Sequence, residues 1–251
     1  MKDNLLEIEN LKKIYHTPKG EILALDDISF TVKNKEFISL VGPSGCGKST
    51  ILTILAGILN KTEGNINFTI ENPKIGYMLQ EDSLFPWRTV LDNACLGLEV
   101  RKELNDDSLE NVVRLLNKYG LGDFINNYPD SLSGGLKQRV ALIRTLALNP
   151  DILLLDEPFS ALDYQTRLSL SDDLKKIIND EGKTAIMVTH DIAEAISMSD
   201  KVIVITNRPG KIKEIIDINL ENVKTPTENR KDKYFTKYYE KIWKELDNHV
   251  Q

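Results

Sequence analysis

The sequence contains few cysteines, no long hydrophobic run and no excess of positive charge. Only two of its 251 residues are cysteines. Cys46 and Cys95 fit neither a metal site nor a disulfide framework, so we expect a protein of the reducing cytosol. The longest largely apolar run, residues 51–59, is far shorter than the ~20 residues that a membrane-spanning helix needs. The formal net charge of −6 argues against a surface that coats nucleic acid.

The first residues also lack the pattern of a targeting segment. Residues 1–10 are charged from the second position and contain no apolar stretch of the kind found in a secretory signal peptide. With 41% hydrophobic and 28% charged residues, the composition is ordinary for a globular protein. We therefore expect that, if this protein serves a membrane, another chain spans it.

Strand patterns dominate the first part of the chain. Residues 5–36 alternate and break into four short segments, which we interpret as a small antiparallel β layer that leads into a buried strand at 37–41. Two more strand patterns follow at 64–68 and 75–79. Helical periodicity then replaces them over 81–150, which we predict to be an inserted, mostly helical subdomain.

The strand pattern returns after residue 150. Continuous apolar runs, typical of parallel strands covered on both faces, lie at 152–155, 184–188 and 201–205. Helical segments at about 164–179 and 192–198 separate these runs. Strands that alternate with helices predict an α/β fold with a parallel sheet and right-handed crossovers.

One segment, residues 42–50, matches the pattern G-x-x-x-x-G-K-[ST], and an apolar run at helical spacing over 50–59 follows it. There, backbone N–H groups and the helix dipole point at phosphate, Lys48 adds a charge, and Ser49 can offer its hydroxyl to Mg²⁺. We interpret the Cys46 side chain as a loop filler rather than a reactive thiol. The sequence therefore predicts a nucleotide site. Its members are Gly42, Ser44, Gly45, Cys46, Gly47, Lys48, Ser49 and Thr50.

Two adjacent carboxylates, Asp156 and Glu157, follow the apolar run at 152–155. The carboxyl ends of strands are where α/β sheets bind ligands. Asp156 is suited to hold magnesium, and Glu157 is suited to polarise a water for attack on a γ-phosphate. Taken alone, the pair is equally typical of solvated acids at a strand end.

Three other patterns are ambiguous from the residues alone. Ser133, Gly134 and Gly135 precede a helical run and form either a second anion site or an ordinary helix cap. His190 follows a strand and could reach a γ-phosphate from there, but the residue alone favours a packed or solvent-facing side chain. Tyr15 lies in the β layer, where spacing favours packing on the sheet over stacking on an adenine ring.

Six segments occur in the order found in the ATP-binding subunit of ABC transporters, which this sequence resembles over about residues 5–215. The segments are 42–50, Gln80, 132–139, 152–158, 160–163 and His190. The resemblance implies a P-loop NTPase of the α/β class, with a mainly parallel sheet core, an N-terminal antiparallel β layer and an inserted helical subdomain. It also implies ATP and Mg²⁺ as cofactors.

We accordingly expect residues 1–251 to form a single ABC ATPase domain. Its catalytic core with the β layer would comprise 1–80 and 151–220, its helical subdomain 81–150, and a C-terminal helical extension 221–251. In the extension, an apolar stripe at helical spacing predicts a helix that packs on the domain. The stripe consists of Phe235, Tyr238, Tyr239, Ile242 and Leu246.

The resemblance implies roles for residues whose patterns are ambiguous. Tyr15 would stack on adenine, and Gln80 would contact both Mg²⁺ and the attacking water. The catalytic residues would be Glu157, His190 and Gln80. The magnesium ligands would be Ser49, Gln80 and Asp156.

Other residues would act across a dimer. By the resemblance, Ser133, Gly134 and Gly135 belong to the signature that closes over the γ-phosphate of the nucleotide bound to a partner subunit. Asp163 would lie at the dimer interface. Leu136 stands where many members of the family have glutamine, but the backbone donors survive that change, so we expect activity to persist.

A narrower likeness, in residues 80–93, 132–140 and 207–212, is to importers of nitrate, sulfonates and taurine, and to relatives thought to carry bicarbonate or pyrimidine precursors of thiamine. It implies an ATP-driven homodimer on the cytoplasmic face of the cell membrane. Its partners would be a permease subunit and, indirectly, a solute-binding protein, with no nucleic acid. The residues expected to line the permease groove are Phe85, Trp87 and Arg88.

Two alternatives remain open at this point. A soluble ABC ATPase could act on nucleic acid, the ribosome or cluster assembly without a permease. Tandem-cassette translation factors would need a second phosphate loop, however, and DNA-repair members a long coiled-coil insertion. A P-loop kinase for small molecules would explain the phosphate loop, but not residues 132–139, 160–163 and His190 together.

Overall fold

The computed structural model describes residues 4–160, 162–221 and 224–247. Its strands are β1 (Asn4–Thr17), β2 (Gly20–Lys33), β3 (Phe37–Val41), β4 (Glu63–Phe68), β5 (Ile75–Met78), β6 (Ile152–Asp156), β7 (Thr184–Val188), β8 (Lys201–Ile205) and β9 (Ile212–Asp217). Its α-helices are α1 (Lys48–Leu55), α2 (Val90–Arg101), α3 (Asp106–Lys118), α4 (Gly134–Leu146), α5 (Tyr164–Asp180), α6 (Ile192–Met198), α7 (Pro226–Asn229) and α8 (Phe235–Asp247). Ala161, within the segment 160–163, lies outside the described residues, as does part of the predicted extension, at 222, 223 and 248–251.

The β layer is a three-stranded antiparallel sheet in the order β2-β1-β4. The layer was predicted, but the expectation of four short strands is wrong, because two long strands and β4 form it. The register of β1 against β2 shifts between Ile8 and Leu11 and again before Lys13. Bulges of this kind keep a strand paired across the breaks in alternation that divided the sequence pattern.

The main sheet has the order β5-β6-β7-β3-β8-β9. Its first five strands are parallel, as predicted, whereas β9 pairs antiparallel with β8. The sequence pattern missed β9 because Ile216 is its only buried residue. The carboxyl ends of β6, β7 and β3 lie side by side, which brings together the residues that follow them.

Helix α1 begins and ends earlier than its sequence pattern indicated. It runs from Lys48 to Leu55 rather than over 50–59. Gly57 adopts a positive φ of 72°, the left-handed conformation that commonly ends a helix, and Ile58 beyond it is 69% exposed. The helix is short, but its apolar side chains are buried: Ile51 and Leu52 lie in the core between the β layer and the main sheet.

The helical subdomain shares its core with one face of the main sheet. Val112 of α3 and Val140 of α4 belong to the same buried cluster as Leu155 of β6 and Met187 of β7. Helix α4 begins at Gly134, ahead of the helical run at 140–148 that the sequence indicated. The division into core, subdomain and extension stays a prediction.

The C-terminal helix α8 packs on α6 and β8. Ile242 is fully buried there, with Phe235, Tyr238 and Leu246 against the same cluster, as the apolar stripe predicted. Tyr239 departs from that prediction, because it is 36% exposed and its ring stacks on Trp243 instead. In residues 4–160, 162–221 and 224–247, no helix is long and apolar enough to cross a membrane.

Candidate functional site

The phosphate loop, residues 42–50, runs from the end of β3 into α1. Gly45 and Gly47 adopt positive φ angles of 75° and 106°, a region that favours glycine. A side chain at Gly47 would also approach Leu25 of β2 to 2.6 Å. The two glycines thus give the loop the curvature that turns successive N–H groups toward an anion.

Lys48 holds its charge at this loop. Its Nζ donates to the carbonyl oxygens of Gly42 at 2.7 Å and Pro43 at 3.0 Å, and the residue is 6% exposed. Both acceptors are neutral, and among the described residues no carboxylate forms an ion pair with Lys48, so its charge remains available to a polyanion. Cys46 is buried beside it, and burial raises the pKa of its thiol, which agrees with a loop filler rather than a reactive group.

Asp156, at the end of β6, receives a hydrogen bond on each carboxylate oxygen. The Ser49 hydroxyl donates to Oδ1 at 2.9 Å, and the Tyr77 hydroxyl donates to Oδ2 at 3.1 Å. Burial raises the pKa of the Asp156 carboxyl, while these two hydrogen bonds oppose the rise. Burial and the nearby Asp156 also raise the pKa of Tyr77, so its phenol remains a donor.

This oxygen cluster fits Mg²⁺. In nucleotide sites Mg²⁺ takes one or two protein oxygen ligands and completes its shell with phosphate and water. The Ser49 hydroxyl and the Asp156 carboxylate are oxygen donors 2.9 Å apart. The described residues contain no group of three or more His, Cys, Asp or Glu placed to hold a metal. A Mg²⁺ ion held here would take its remaining ligands from the nucleotide and from water.

Glu157 and His190 meet at the carboxyl ends of β6 and β7. Glu157 Oε2 lies 3.2 Å from His190 Nδ1. The Glu157 N–H donates to the carbonyl of Val188 at 2.9 Å, which ties the two strand ends together. Glu157 also has a positive φ of 45°, an unusual conformation for a residue with a side chain, of the kind that accumulates at functional sites.

A cavity of about 220 Å³ lies against the phosphate loop. It is lined by Tyr15, Ala24, Ser44, Gly45, Gly47, Lys48, Ser49, Thr50, Glu157 and Arg208. The Tyr15 hydroxyl is 3.3 Å from Thr50 Oγ1, so this side chain reaches the loop rather than only covering the sheet. Its stacking on adenine stays a prediction.

A larger cavity, of about 350 Å³, lies elsewhere. Its lining includes Asp151 and Lys183, which immediately precede β6 and β7, so it faces the amino ends of the parallel strands. Ligands of open α/β sheets bind outside the carboxyl ends instead. We therefore assign the functional site to the smaller cavity, where the phosphate loop and Glu157 meet.

The signature residues do not line this cavity. Ser133 caps α4, with its Oγ accepting from the Leu136 N–H at 3.4 Å. A side chain at Gly134 would approach Leu162 to 3.2 Å, and one at Gly135 would approach Thr166 to the same distance. The structure thus packs this segment against the start of α5, and none of its residues lines the cavity at the phosphate loop.

Asp163 and Gln80 also lie outside the cavity lining. Asp163 caps α5, and its pKa is lowered by hydrogen bonds, first of all from the Thr166 hydroxyl and backbone. Gln80 follows β5, and its Nε2 donates to Ser160 Oγ at 3.3 Å. The roles given to these two residues by resemblance stay predictions.

Sequence reasoning missed two residues of the site, Tyr77 and Arg208. Tyr77 is on β5, whose register against β6 was not available from the pattern. Arg208 is in the turn between β8 and β9, and its residue pattern assigned it no role, although the segment 207–212 carries part of the narrower likeness. The Pro-Gly pair that follows it marks a tight turn at a strand's carboxyl end, which is a signal for a site residue.

The segment expected to meet a permease has a fixed backbone and an exposed tip. Asn93 of α2 is buried, accepts from the Phe85 N–H at 2.8 Å and donates to the Phe85 carbonyl at 3.1 Å. The Phe85 and Trp87 rings stack with centroids 5.0 Å apart, and Trp87 is 72% exposed. Arg88 does not stay free in this structure, because it pairs with Glu99 at 2.7 Å.

Comparison with known proteins agrees with this geometry. The ABC transporter family model matches residues 25–160. The uncharacterized ABC transporter ATP-binding protein YtlC of Bacillus subtilis is 43% identical over 98% of this chain and 96% of its own. The nitrate transport protein NasD of Klebsiella oxytoca is 39% identical over 86% of each chain. A dimeric structure of the ATP-binding cassette MJ0796 in a post-hydrolysis state, bound to ADP and Pi, is 32% identical, with a TM-score of 0.71 over 85% of this chain and 99% of its own.

Proposed function

Because this chain belongs to the family of ABC transporter ATP-binding proteins and is an ATPase of that family, we propose that it drives uptake of a small solute through a separate membrane permease. The solute would be an anion or zwitterion of the nitrate, sulfonate or taurine type. The relative NasD, named a nitrate transport protein, supports this class of cargo. The protein would act on the cytoplasmic face of the membrane, bound to the permease.

The observation that carries the ATPase chemistry is the meeting of a phosphate loop and the Glu157 carboxylate in one cavity. Lys48 and the loop N–H groups bind the phosphates there, and Glu157 lines the same space. Glu157 polarises the attacking water as general base, and His190, 3.2 Å from it, acts on the γ-phosphate from the next strand end. Tyr15 binds the adenine ring at its side of the cavity.

We propose that Ser49 and Asp156 hold Mg²⁺, and that Gln80, whose role is implied by the resemblance alone, contacts the ion as well. When bound, Mg²⁺ neutralises charge on the β- and γ-phosphates. Asp156 is oriented for this by its hydrogen bonds from Ser49 and Tyr77. Such fixed outer partners keep a ligand in place before the ion arrives.

The signature and Asp163 act in this proposal on a second copy of the chain. Neither lines the cavity of its own chain, and the neighbouring cassette structure is described as dimeric. Two chains arranged head to tail would each supply Ser133, Gly134 and Gly135 to the nucleotide of the other. ATP would then favour the closed dimer and hydrolysis would release it, which gives a two-state element for driving a permease.

The permease contact is proposed at Trp87. An indole that is 72% exposed on an anchored backbone is an unusual feature of a free surface and a common one at protein interfaces. Trp243 of α8 provides a matched control, because it is also exposed, at 53%, on another face. We expect Trp87→Ala to abolish co-purification with the permease while Trp243→Ala preserves it. Equal retention of the permease by both variants would contradict the proposed contact.

The test of the whole function is reconstitution with the native partners. The chain is purified from detergent-solubilised membranes with the multi-span protein encoded beside it, and ATP turnover is measured with and without the neighbouring solute-binding protein. We expect turnover to rise when the binding protein carries its solute. A chain that hydrolyses ATP but never associates with a membrane protein would instead favour an ABC ATPase that works without a permease.

A further inference from the structure

The turn between β8 and β9 places Arg208 beside the phosphate loop. One terminal nitrogen, Nη2, of Arg208 donates to the carbonyl oxygen of Gly45 at 2.9 Å. Arg208 also lines the cavity that contains Tyr15 and Lys48. The Gly45 carbonyl needs only one donor, whereas a guanidinium has five, so this hydrogen bond uses only a small part of the side chain.

The turn is attached firmly to the rest of the site. Gly210 donates to the Ala24 carbonyl at 2.9 Å and accepts from the Asp26 N–H at 2.9 Å. A side chain at Gly210 would collide with the carbonyl of Cys46, so the turn lies directly on the phosphate loop. The position of Arg208 is therefore set by contacts of its turn with β2 and with the phosphate loop.

No carboxylate among the described residues neutralises the charge of Arg208. Across the described ranges, its only hydrogen bond is the one to Gly45, and no carboxylate pairs with it. The other cation of the turn behaves differently, because Lys211 pairs with Asp26 at 2.6 Å. Glu157 lines the same cavity, but its carboxylate faces His190 at 3.2 Å. A guanidinium has five N–H donors in a planar fork, so most of its donors remain for a ligand.

We propose that Arg208 is a further nucleotide-binding residue, whose guanidinium binds the polyphosphate of ATP at the Gly45 edge of the loop. The inference rests on the proposed nucleotide site. Gly45 belongs to the phosphate-binding backbone, whereas Tyr15 marks the adenine side, so the arginine lies at the phosphate end. A planar donor pair matches two phosphate oxygens better than it matches a base or a single carbonyl.

The test compares nucleotides of increasing phosphate number on the isolated chain. Equilibrium binding of AMP, ADP and ATP is measured by calorimetry for wild type, Arg208→Gln and Arg208→Lys, with Lys211→Gln as the control on the same turn. We expect Arg208→Gln to weaken ATP and ADP binding roughly tenfold, the effect of losing a charge-assisted hydrogen bond, and to leave AMP binding nearly unchanged. Arg208→Lys should recover part of the loss, and Lys211→Gln should match wild type.

Several outcomes would overturn the inference while leaving the proposed function intact. Equal affinity of Arg208→Gln and wild type for ATP would show that the guanidinium makes no useful contact. Equal weakening of AMP, ADP and ATP would mean that Arg208 only shapes the loop. If Arg208→Gln bound nucleotides normally but no longer formed the ATP-dependent dimer, as measured by light scattering, Arg208 would contact the second copy instead. Failure of wild type to bind ATP would overturn both, and thermal unfolding without nucleotide identifies a variant that is merely unfolded.

Discussion

The phosphate loop and the signature segment, residues 133–135, are both glycine-bearing helix starts, yet they differ in what surrounds them. At the phosphate loop, the buried Lys48 and the carboxylate of Glu157 converge with backbone donors on one cavity. At the signature, Ser133 caps its own helix, and Gly134 and Gly135 back onto the start of α5. A helix N-terminus can attract an anion, but a binding site also needs a cavity lined by side chains that contact the ligand. We interpret the first region as a site within one chain and the second as half of a site.

The strongest test of this contrast acts on the phosphate-loop region. Glu157→Gln removes the general base but keeps the shape of the side chain, so we expect phosphate release to fall about 1,000-fold while ATP still binds. Because hydrolysis would no longer open the dimer, the ATP-bound dimer should accumulate. Size-exclusion chromatography with light scattering would show it.

The control for this variant is Glu240→Gln, the same change on an exposed face of α8. It should hydrolyse ATP at the wild-type rate. Retention of wild-type turnover by Glu157→Gln would remove Glu157 from its proposed role and leave the cavity without an assigned base.

The second test acts on the signature. Ser133→Asp keeps a good helix cap but puts a negative charge where a γ-phosphate from another chain is expected, so turnover should fall roughly 100-fold with stability preserved. Binding of ATP to the dilute monomer should be unchanged, because Ser133 does not line its own cavity. Calorimetry on the monomer and a turnover assay at high concentration measure the two quantities.

Ser133→Ala is the informative companion, because it removes the cap without adding charge. It should cost about 1 kcal/mol of stability and reduce turnover much less than the aspartate does. If Ser133→Asp weakened ATP binding by the monomer, the two regions would belong to one site and the contrast between them would be wrong.

The contrast also explains which features the sequence could predict. The phosphate loop, the strand before it and Asp156–Glu157 are contiguous in sequence, so their chemistry could be inferred from spacing and apolar runs. The partner of Glu157 is 33 residues away, and the contact with His190 depends on β6 and β7 being neighbours in the sheet. The residue pattern placed His190 at a strand end, but only the resemblance gave it a role.

Features that depend on register or on turns escaped prediction. Tyr77 alternates correctly within a strand, but its hydrogen bond to Asp156 requires the pairing of β5 with β6. Strand β9 has a single buried residue, so the sequence shows no clear alternation of apolar and polar residues there. The bulges of β1 had the opposite effect, since they made one strand resemble two.

A smaller effect tests how the phosphate-loop region is pre-arranged. Tyr77→Phe removes only the hydroxyl that donates to Asp156 at 3.1 Å. We expect the Mg²⁺ concentration for half-maximal turnover to rise about fivefold, the equivalent of one hydrogen bond of ~1 kcal/mol. Nucleotide binding without Mg²⁺ should be unaffected, which fluorescence titration in EDTA would check. An unchanged Mg²⁺ requirement would mean that the Ser49 hydrogen bond alone orients the carboxylate.

The smallest expected effect concerns the attachment of the helical subdomain, which carries the signature, to the core. Glu181, just after α5, accepts hydrogen bonds from Arg114, Lys118 and Tyr119 of the α3 region. Burial alone would raise the pKa of Glu181, but the hydrogen bonds from Lys118, Tyr119 and Arg114 lower it from 4.5 to about 2. Glu181 is therefore ionised at neutral pH, and its contact adds an ionic component to the shared hydrophobic core.

A carboxylate whose pKa is lower in the folded state stabilises the fold above its unfolded pKa and loses that contribution as the pH falls toward its folded pKa. We expect Glu181→Gln to lower the free energy of unfolding by about 1 kcal/mol near pH 7, allowing for screening of a partly exposed network. The difference from wild type should stay constant down to about pH 5 and shrink as the pH falls through 4.5 toward 2. Urea unfolding at several pH values measures it, with Glu110→Gln on the exposed face of α3 as control. A difference that did not shrink between pH 5 and pH 2 would show that Glu181 acts through its shape rather than its charge.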